Sequence, residues 1–418
     1  MNASVNPRRA GQLRDSTVGD RANGSASAPF DVLILGAGNV GLLTALLLHR
    51  QGLSVRVCDR RPPGLWTPEP GFDARVYAIS SGNRAHLEAL GVWQHLPAGR
   101  LGQIDAMQVH GDQQGQLCFA GSGAPLATVV EDRALQGALL QTLNARLDGD
   151  WLQQDQFDSI TVEPGHATLR RADHGAVHAR LVVGADGAQS WLRGALGWTA
   201  QVSDYGQQGV VVNLACAEAH QHCARQWFSE GEVIALLPLG GLRVSLVWSA
   251  HQANADALLA GGAEAIVTAL EARIGAPLGA LRPISQPAAF PLRLTRVPQI
   301  CDHRLVLLGD AAHGVHPLAG QGLNLGLEDA LSLAEVLRTR GSGPDVGDRS
   351  VLRRHARQRA EPVARMQWVT DGLQRLFAPD HPALRGLRNQ GLHLVDRTPL
   401  FKSLLAAAAA GASPQAQP

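Results

Sequence analysis

Three groups of residues in this 418-residue chain have types and spacings that could do chemistry. The first is Gly36-Ala37-Gly38-Asn39-Val40-Gly41. Glycines at this spacing allow a tight turn, a close approach of backbone to a pyrophosphate, and close packing of a helix on a strand. Asp59 follows at about the 20-residue distance at which an acid accepts hydrogen bonds from a ribose diol. The second group is Val182-Val183-Gly184-Ala185-Asp186-Gly187, with Ser190 and Arg193 just beyond. Asp-Gly is also common in plain turns, so spacing alone leaves a structural use of Asp186 open. The third runs from Leu308-Gly309-Asp310 through His313, His316, Pro317, Gly320, Gly322, Leu323 and Asn324 to Gly326. Asp310 can accept from ligand hydroxyls. A helix starting behind it offers free N–H groups and partial positive charge, which suits a ring that becomes anionic on reduction. His313 and His316, three apart, are a poor metal pair, because no third ligand is evident and the segment reads as loop.

These groups need strands and helices to hold them. Residues 32–35 are a continuous apolar run before glycines, as in a buried parallel strand. Residues 42–48 follow as a helix, Gly52 stands where a helix stop belongs, and 54–58 is the next strand. This is one βαβ unit, the context the glycine pattern requires. Residues 135–147 read as an amphipathic helix, and 180–183 and 305–308 as short buried strands. A long helix begins near Gly320. Residues 210–216, 233–237 and 242–248 read as an antiparallel sheet. The expected fold is α/β, a Rossmann-like dinucleotide-binding domain (30–103, 126–200 and 301–375) interleaved with an α+β substrate domain built on an antiparallel sheet (104–125 and 201–300). A disordered extension is expected over 1–29, and a helical segment with a tail over 376–418.

Composition narrows the function. Net charge is +1, from 37 basic and 36 acidic residues, so no global field favours nucleic acid. The five cysteines are widely spaced and include no CxxC, which points to free thiols in a reducing compartment. Cys216 and Cys223 match no common zinc spacing. No apolar run is long enough to span a bilayer, and the first residues lack the apolar stretch of a secretory signal. The expected location is the cytoplasm. Arginines at 353, 354, 357, 359 and 365 fall on one helix, read as a solvated face with anionic lipid as the alternative.

The three groups occur in the order found in class A flavoprotein monooxygenases, the p-hydroxybenzoate hydroxylase superfamily, and the chain resembles that family. Further stretches are similar to the ubiquinone-biosynthesis hydroxylases: Phe72-Asp-Ala-Arg75-Val-Tyr-Ala-Ile-Ser80, Leu90-Gly-Val-Trp93, Leu236-Leu-Pro-Leu239, Ser245-Leu-Val-Trp-Ser249, the run from His316 to Gly326, and Gly391-Leu-His-Leu-Val-Asp396. The resemblance implies a non-covalent FAD, with NADH or NADPH as transient electron donor. One atom of O2 would go to the ring of a phenol, a prenylated one in the case of the quinone branch. It implies that Gly36, Gly38, Gly41, Asp59, Arg60, Arg75, Arg133, Asp186, Gly309, Asp310 and Gly320 belong to the FAD site. Gly322, Leu323 and Asn324 would meet the flavin pyrimidine through backbone, and His316 and Pro317 would face the substrate. Such a substrate implies peripheral contact with the inner face of the membrane, or a quinone-biosynthesis complex. Two positions depart from the pattern: Asn39, where Pro is usual, and Asp132, where Asn is common and where Asp could still cap the following helix. A small aromatic acid as substrate would instead need a cationic clamp, for which Arg225 and Arg243 are candidates. A disulfide reductase would need paired cysteines, and a halogenase a Trp-x-Trp-x-x-Pro signature. Neither occurs. A non-catalytic flavin-binding subunit stays open.

Overall fold

The computed structural model describes residues 28–67, 71–111, 115–121, 123–173, 175–229, 231–315 and 322–377. Residues 1–27 of the extension expected over 1–29, and residues 378–418 of the segment expected over 376–418, lie outside the described residues.

The chain opens with β1 (Phe30–Leu35), α1 (Asn39–His49) and β2 (Val55–Asp59). β1 is apolar without alternation because it has neighbours on both edges and is covered on both faces. Next come β3 (Val76–Ser80), α2 (Ser81–Ala89) and β4 (Gly102–Ile104). β5 (Ala106–His110) and β6 (Gln116–Ala120) form a hairpin, and β7 (Ala127–Glu131) returns between β3 and β4. α3 (Asp132–Asn144) follows, then β8 (Leu152–Gln154), β9 (Ser159–Val162), β10 (Ala167–Arg170), β11 (Ala176–Gly184) and α4 (Trp191–Ala195).

A second sheet is built from β12 (Gln201–Cys216), β13 (Cys223–Ser229), β14 (Glu232–Leu239) and β15 (Arg243–His251). α5 (Gln252–Ile274), β16 (Leu281–Pro283) and β17 (Ala288–Arg296) follow. The chain then returns to the first sheet with β18 (Cys301–Asp302) and β19 (Leu305–Leu307), and passes through a 3-10 turn (Gly309–Ala311) and β20 (His313–Gly314). It continues as α6 (Gly322–Arg338) and α7 (Arg349–Phe377).

The first sheet runs β18-β19-β11-β1-β2-β8, with β19, β11, β1, β2 and β8 parallel. α1, α3 and α6 bury one of its faces through Leu42, Leu46, Leu135, Leu139 and Leu333. β1 lies between its successor β2 and the distant β11, so the chain changes direction at the carboxyl ends of β1 and β11. Open α/β sheets bind ligands at such a switch point.

The second sheet runs β20-β17-β12-β15-β14-β13-β5-β6, antiparallel except where β13 meets β5. Strand alternation divides its apolar residues between two faces. Val210, Val212, Ile234, Leu236, Leu246 and Trp248 pack under α5, a helix not anticipated from the sequence. Only the opposite set is left for the first body: Leu237, Leu239 and Val247 pack with Val76, Ala78 and Val129 of the three-stranded sheet.

Candidate active site

The glycine turn separates what the fold needs from what a ligand needs. Gly36 has φ +104°, and a Cβ there would lie 2.2 Å from the carbonyl oxygen of Ala185. At Gly41 a Cβ would lie 2.0 Å from the carbonyl oxygen of Gly36. Both glycines are required by the protein's own backbone. Gly38 has an ordinary φ of −75°, and a Cβ there would meet nothing within 4 Å. The space beside Gly38 is what a close-lying ligand would use. Gly38 is also the N-cap of α1, so the free N–H groups of that helix face the same space.

A cleft of about 340 Å³ opens there, lined by Gly36, Gly38, Asp59, Arg60, Asp186 and Gly187 among others. Asp59 ends β2 and is fixed on both oxygens: Oδ2 accepts from the N–H of Ala37 at 2.8 Å and Oδ1 from that of Arg61 at 2.8 Å. Asp186 follows β11. Its Oδ2 accepts from the N–H of Leu192 at 3.1 Å, while Oδ1 is buried without a partner. Ser190 caps α4 by accepting from the N–H of Arg193. Asp186 thus has both a structural use, in positioning α4, and one oxygen left for a donor.

Asp310 sits on the 3-10 turn after β19. Its side chain is exposed, although protein crowds it closely. This crowding pushes its carboxyl above the usual range, against the opposing charges of His313 and Arg75. Arg75 lies beside Tyr77, Asp132 and Asp310 and 5.6 Å from the centre of the Phe290 ring on the second sheet. Burial, then Asp132, pushes the Tyr77 hydroxyl up, so it stays a neutral donor. Arg133 opens α3 and reaches Asp73, with Nε 3.3 Å from Oδ2. Asp132 does not cap that helix. Glu131 occupies the N-cap position, and the Asp132 carboxylate accepts from the Asn39 amide instead.

Behind this turn lies a buried ionic group that sequence spacing did not reveal. Asp329 of α6 accepts through Oδ2 from the N–H of Gly309 at 2.9 Å and from Nε2 of His313 at 2.6 Å. Its Oδ1 accepts from Nε of Arg359 at 2.7 Å. Arg359 continues to Glu328 at 3.0 Å and to the carbonyl of Leu325. One carboxylate thus grips both ends of the turn that carries Asp310. Burial alone would raise the Asp329 pKa, but His313 and then Arg359 outweigh it and hold the carboxylate well below its usual range. Burial would lower the His313 pKa, and Asp329 raises it further than burial lowers it. Arg359, expected on a solvated or lipid-facing surface, faces inward because these acids need a cation. His313 is accounted for as the partner of Asp329.

Asn324, of the Gly322-Leu323-Asn324 segment that opens α6, uses its side chain within the protein. Its Oδ1 accepts from Ser80 N–H and Asn83 Nδ2, and its Nδ2 donates to the carbonyl of Ala78. Any ligand contact there falls to backbone. His316, Pro317 and Gly320 lie outside the described residues. Among the described residues no cluster of His, Cys, Asp or Glu could hold a metal, and no helix is long and apolar enough to cross a membrane. Arg225 donates to the carbonyls of His220 and Cys223, and Arg243 to that of Gly240, so both candidate clamp residues are engaged with backbone.

Open space at Gly38, an unpartnered oxygen on Asp186 and the nearby Arg75 and Asp310 fit a flavin dinucleotide at the carboxyl ends of β1 and β11. The chain's family and relatives make it an FAD-dependent monooxygenase. The chain belongs to the FAD binding domain family FAD_binding_3, which matches residues 29–366. It is 34% identical over 384 residues to the ubiquinone hydroxylase UbiL of Rhodospirillum rubrum, covering 91% of this chain and 89% of that protein. It is 30% identical over 384 residues to the 3-demethoxyubiquinol 3-hydroxylase of Escherichia coli, covering 90% and 96%. Among solved structures, Klebsiella pneumoniae HpxO complexed with FAD and uric acid superposes with a TM-score of 0.70 at 18% identity, covering 92% of this chain and 97% of that one.

Proposed function

We propose that the protein hydroxylates the ring of a polyprenylated phenol in ubiquinone biosynthesis, with NADH or NADPH as electron donor and O2 as oxygen source. Bound and reduced, FAD supplies the reaction with oxygen and the transfer of one oxygen atom to the ring; the protein supplies place and orientation. The free N–H groups of α1 and the charge of Arg75 hold the pyrophosphate. Asp59 takes the ribose diol and Asp310 the ribityl hydroxyls. The N-terminal end of α6 favours negative charge on the reduced ring.

The observation that carries the substrate class is the similarity to two ubiquinone-pathway hydroxylases over nine-tenths of the chain. Arg225 and Arg243, the candidate clamp for a small aromatic acid, are engaged with backbone carbonyls. A lipid-soluble substrate requires cytoplasmic protein to meet it at the membrane surface or within an assembly. The test is product analysis by mass spectrometry with purified enzyme, NAD(P)H and O2. A short-chain prenylphenol should gain one oxygen. Efficient turnover of p-hydroxybenzoate with none of the prenylphenol would refute the substrate class. Failure to oxidise NAD(P)H with any phenol would favour a non-catalytic subunit.

A further inference from the structure

The two positions at which this chain departs from its family pattern touch each other. Asn39 is the first residue of α1 and Asp132 the first of α3, 93 residues apart, and Nδ2 of Asn39 donates to Oδ1 of Asp132 at 2.7 Å. Proline suits the first position of a helix, where the N–H is unpaired in any case and φ is already right. The backbone therefore gives no reason for asparagine at residue 39, and the reach of its side chain to Asp132 does. Asparagine at 132 would be neutral, whereas aspartate brings a carboxylate to the start of a helix beside the dinucleotide cleft.

The charged and titratable groups facing Asp132 are Asp73 from the loop before β3, Arg75 and Tyr77 at and in β3, and Arg133 of α3. Asp310 is reached through Arg75. Asn39 Oδ1 is buried without a partner, so the amide serves the carboxylate alone.

We propose that Asn39 and Asp132 form one positioning unit for the flavin pyrophosphate. The amide ties the starts of α1 and α3 together. It also occupies one oxygen of a carboxylate that would otherwise draw more strongly on Arg75. The proposal rests on the flavin reading of the cleft. Its electrostatic corollary is that an anion arriving beside Asp132 favours the protonated acid, so flavin binding takes up a proton. Burial already pushes this carboxyl up, against the pull of Arg75.

The test is a double-mutant cycle on FAD affinity of the apoprotein, read by flavin fluorescence from about pH 4 to about pH 8. The proteins are wild type, Asn39→Pro, Asp132→Asn and the double variant. Asn39→Pro should weaken FAD binding about tenfold, the order expected for one charge-assisted hydrogen bond. Adding Asp132→Asn should restore it. The wild-type dissociation constant should rise with pH more steeply than that of the double variant, a difference that a purely structural tie would not produce. Asn39→Ala repeats the cycle should the proline variant fail to fold. Independent, multiplicative effects of the two substitutions, or identical pH profiles, would overturn the proposal. Absence of FAD binding in all four proteins would instead overturn the flavin reading itself.

Discussion

Replacing Asp329 by alanine should loosen the cofactor turn from beneath, although in the flavin reading this residue touches no ligand. The carboxylate accepts three hydrogen bonds, from the Gly309 N–H, His313 and Arg359. Removing it leaves the N–H of Gly309 unpaired and two cations facing a void. His313 can lose its proton, but Arg359 cannot, and keeps only Glu328 and the Leu325 carbonyl. Breaking a buried ion pair from one side costs about 3–5 kcal/mol. At roughly 1 °C per kcal/mol for a chain of this length, the apoprotein midpoint should fall by about 4 °C. Flavin affinity should fall as well, because the turn carrying Asp310 loses both of its anchors. Charge-assisted bonds from Asp310 to the ribityl chain are worth about 1.5–3 kcal/mol each, so a tenfold to hundredfold loss is expected, close to that of Asp310→Ala itself. Differential scanning fluorimetry of the apoprotein and FAD titration measure the two effects separately. A midpoint within about 2 °C of wild type, with unchanged flavin affinity, would show that this ionic group does not hold the turn.

The glycine turn allows a sharper contrast. Gly38→Val should leave folding intact and abolish flavin retention, since its side chain enters space that is open in the protein. Gly41→Ala should instead lower the apoprotein midpoint, because its Cβ would meet the Gly36 carbonyl at 2.0 Å. Retained flavin in the first variant would remove the ligand from this turn. The His313–Asp329 pair also sets a pH window. His313 has its pKa raised above 6.5, so its contribution is complete below about pH 6.5 and is lost as pH rises through the raised value. Asp329 is held below 3.8, so its contribution is present above about pH 4 and is lost on acidification. Midpoints measured against pH should decline on the alkaline side, and His313→Gln should flatten that limb; unchanged alkaline limbs in the two proteins would contradict the pairing.

The parts legible in the sequence are those set by local pattern. The apolar run of β1, the glycines after it, Asp59 at the end of β2 and the acid at the end of β11 each depend on neighbours a few residues away. Residues 210–216, 233–237 and 242–248 showed themselves as strands for the same reason. α5 did not, because Ala and Gly dominate it and Gly262, with φ +77°, interrupts it midway, so no apolar stripe stands out. Nor did the group around Asp329. Its members come from α6, α7 and the β20 turn, and an arginine on a charged helix looks solvated until its acid partners are seen. The Asn39–Asp132 contact was hidden by the same long reach: each residue looked like an isolated departure, and only folding brings them together.

The route of the chain through its two sheets has a consequence for how the protein is made. β1, α1 and β2 leave the ribosome first, yet the β19 strand that leads to Asp310, and the α7 arginine that steadies its turn, come more than 250 residues later. Most of the second sheet is synthesised in between, and its β13 must find β5 across more than 100 residues. A nascent or truncated chain can therefore present a glycine turn without a finished site. Tight flavin binding then waits for α7 and, by mass action, favours only chains that have completed both sheets. The yellow colour of a preparation would serve as a count of fully assembled molecules, and shortening the chain before Arg359 should yield protein that is expressed but colourless.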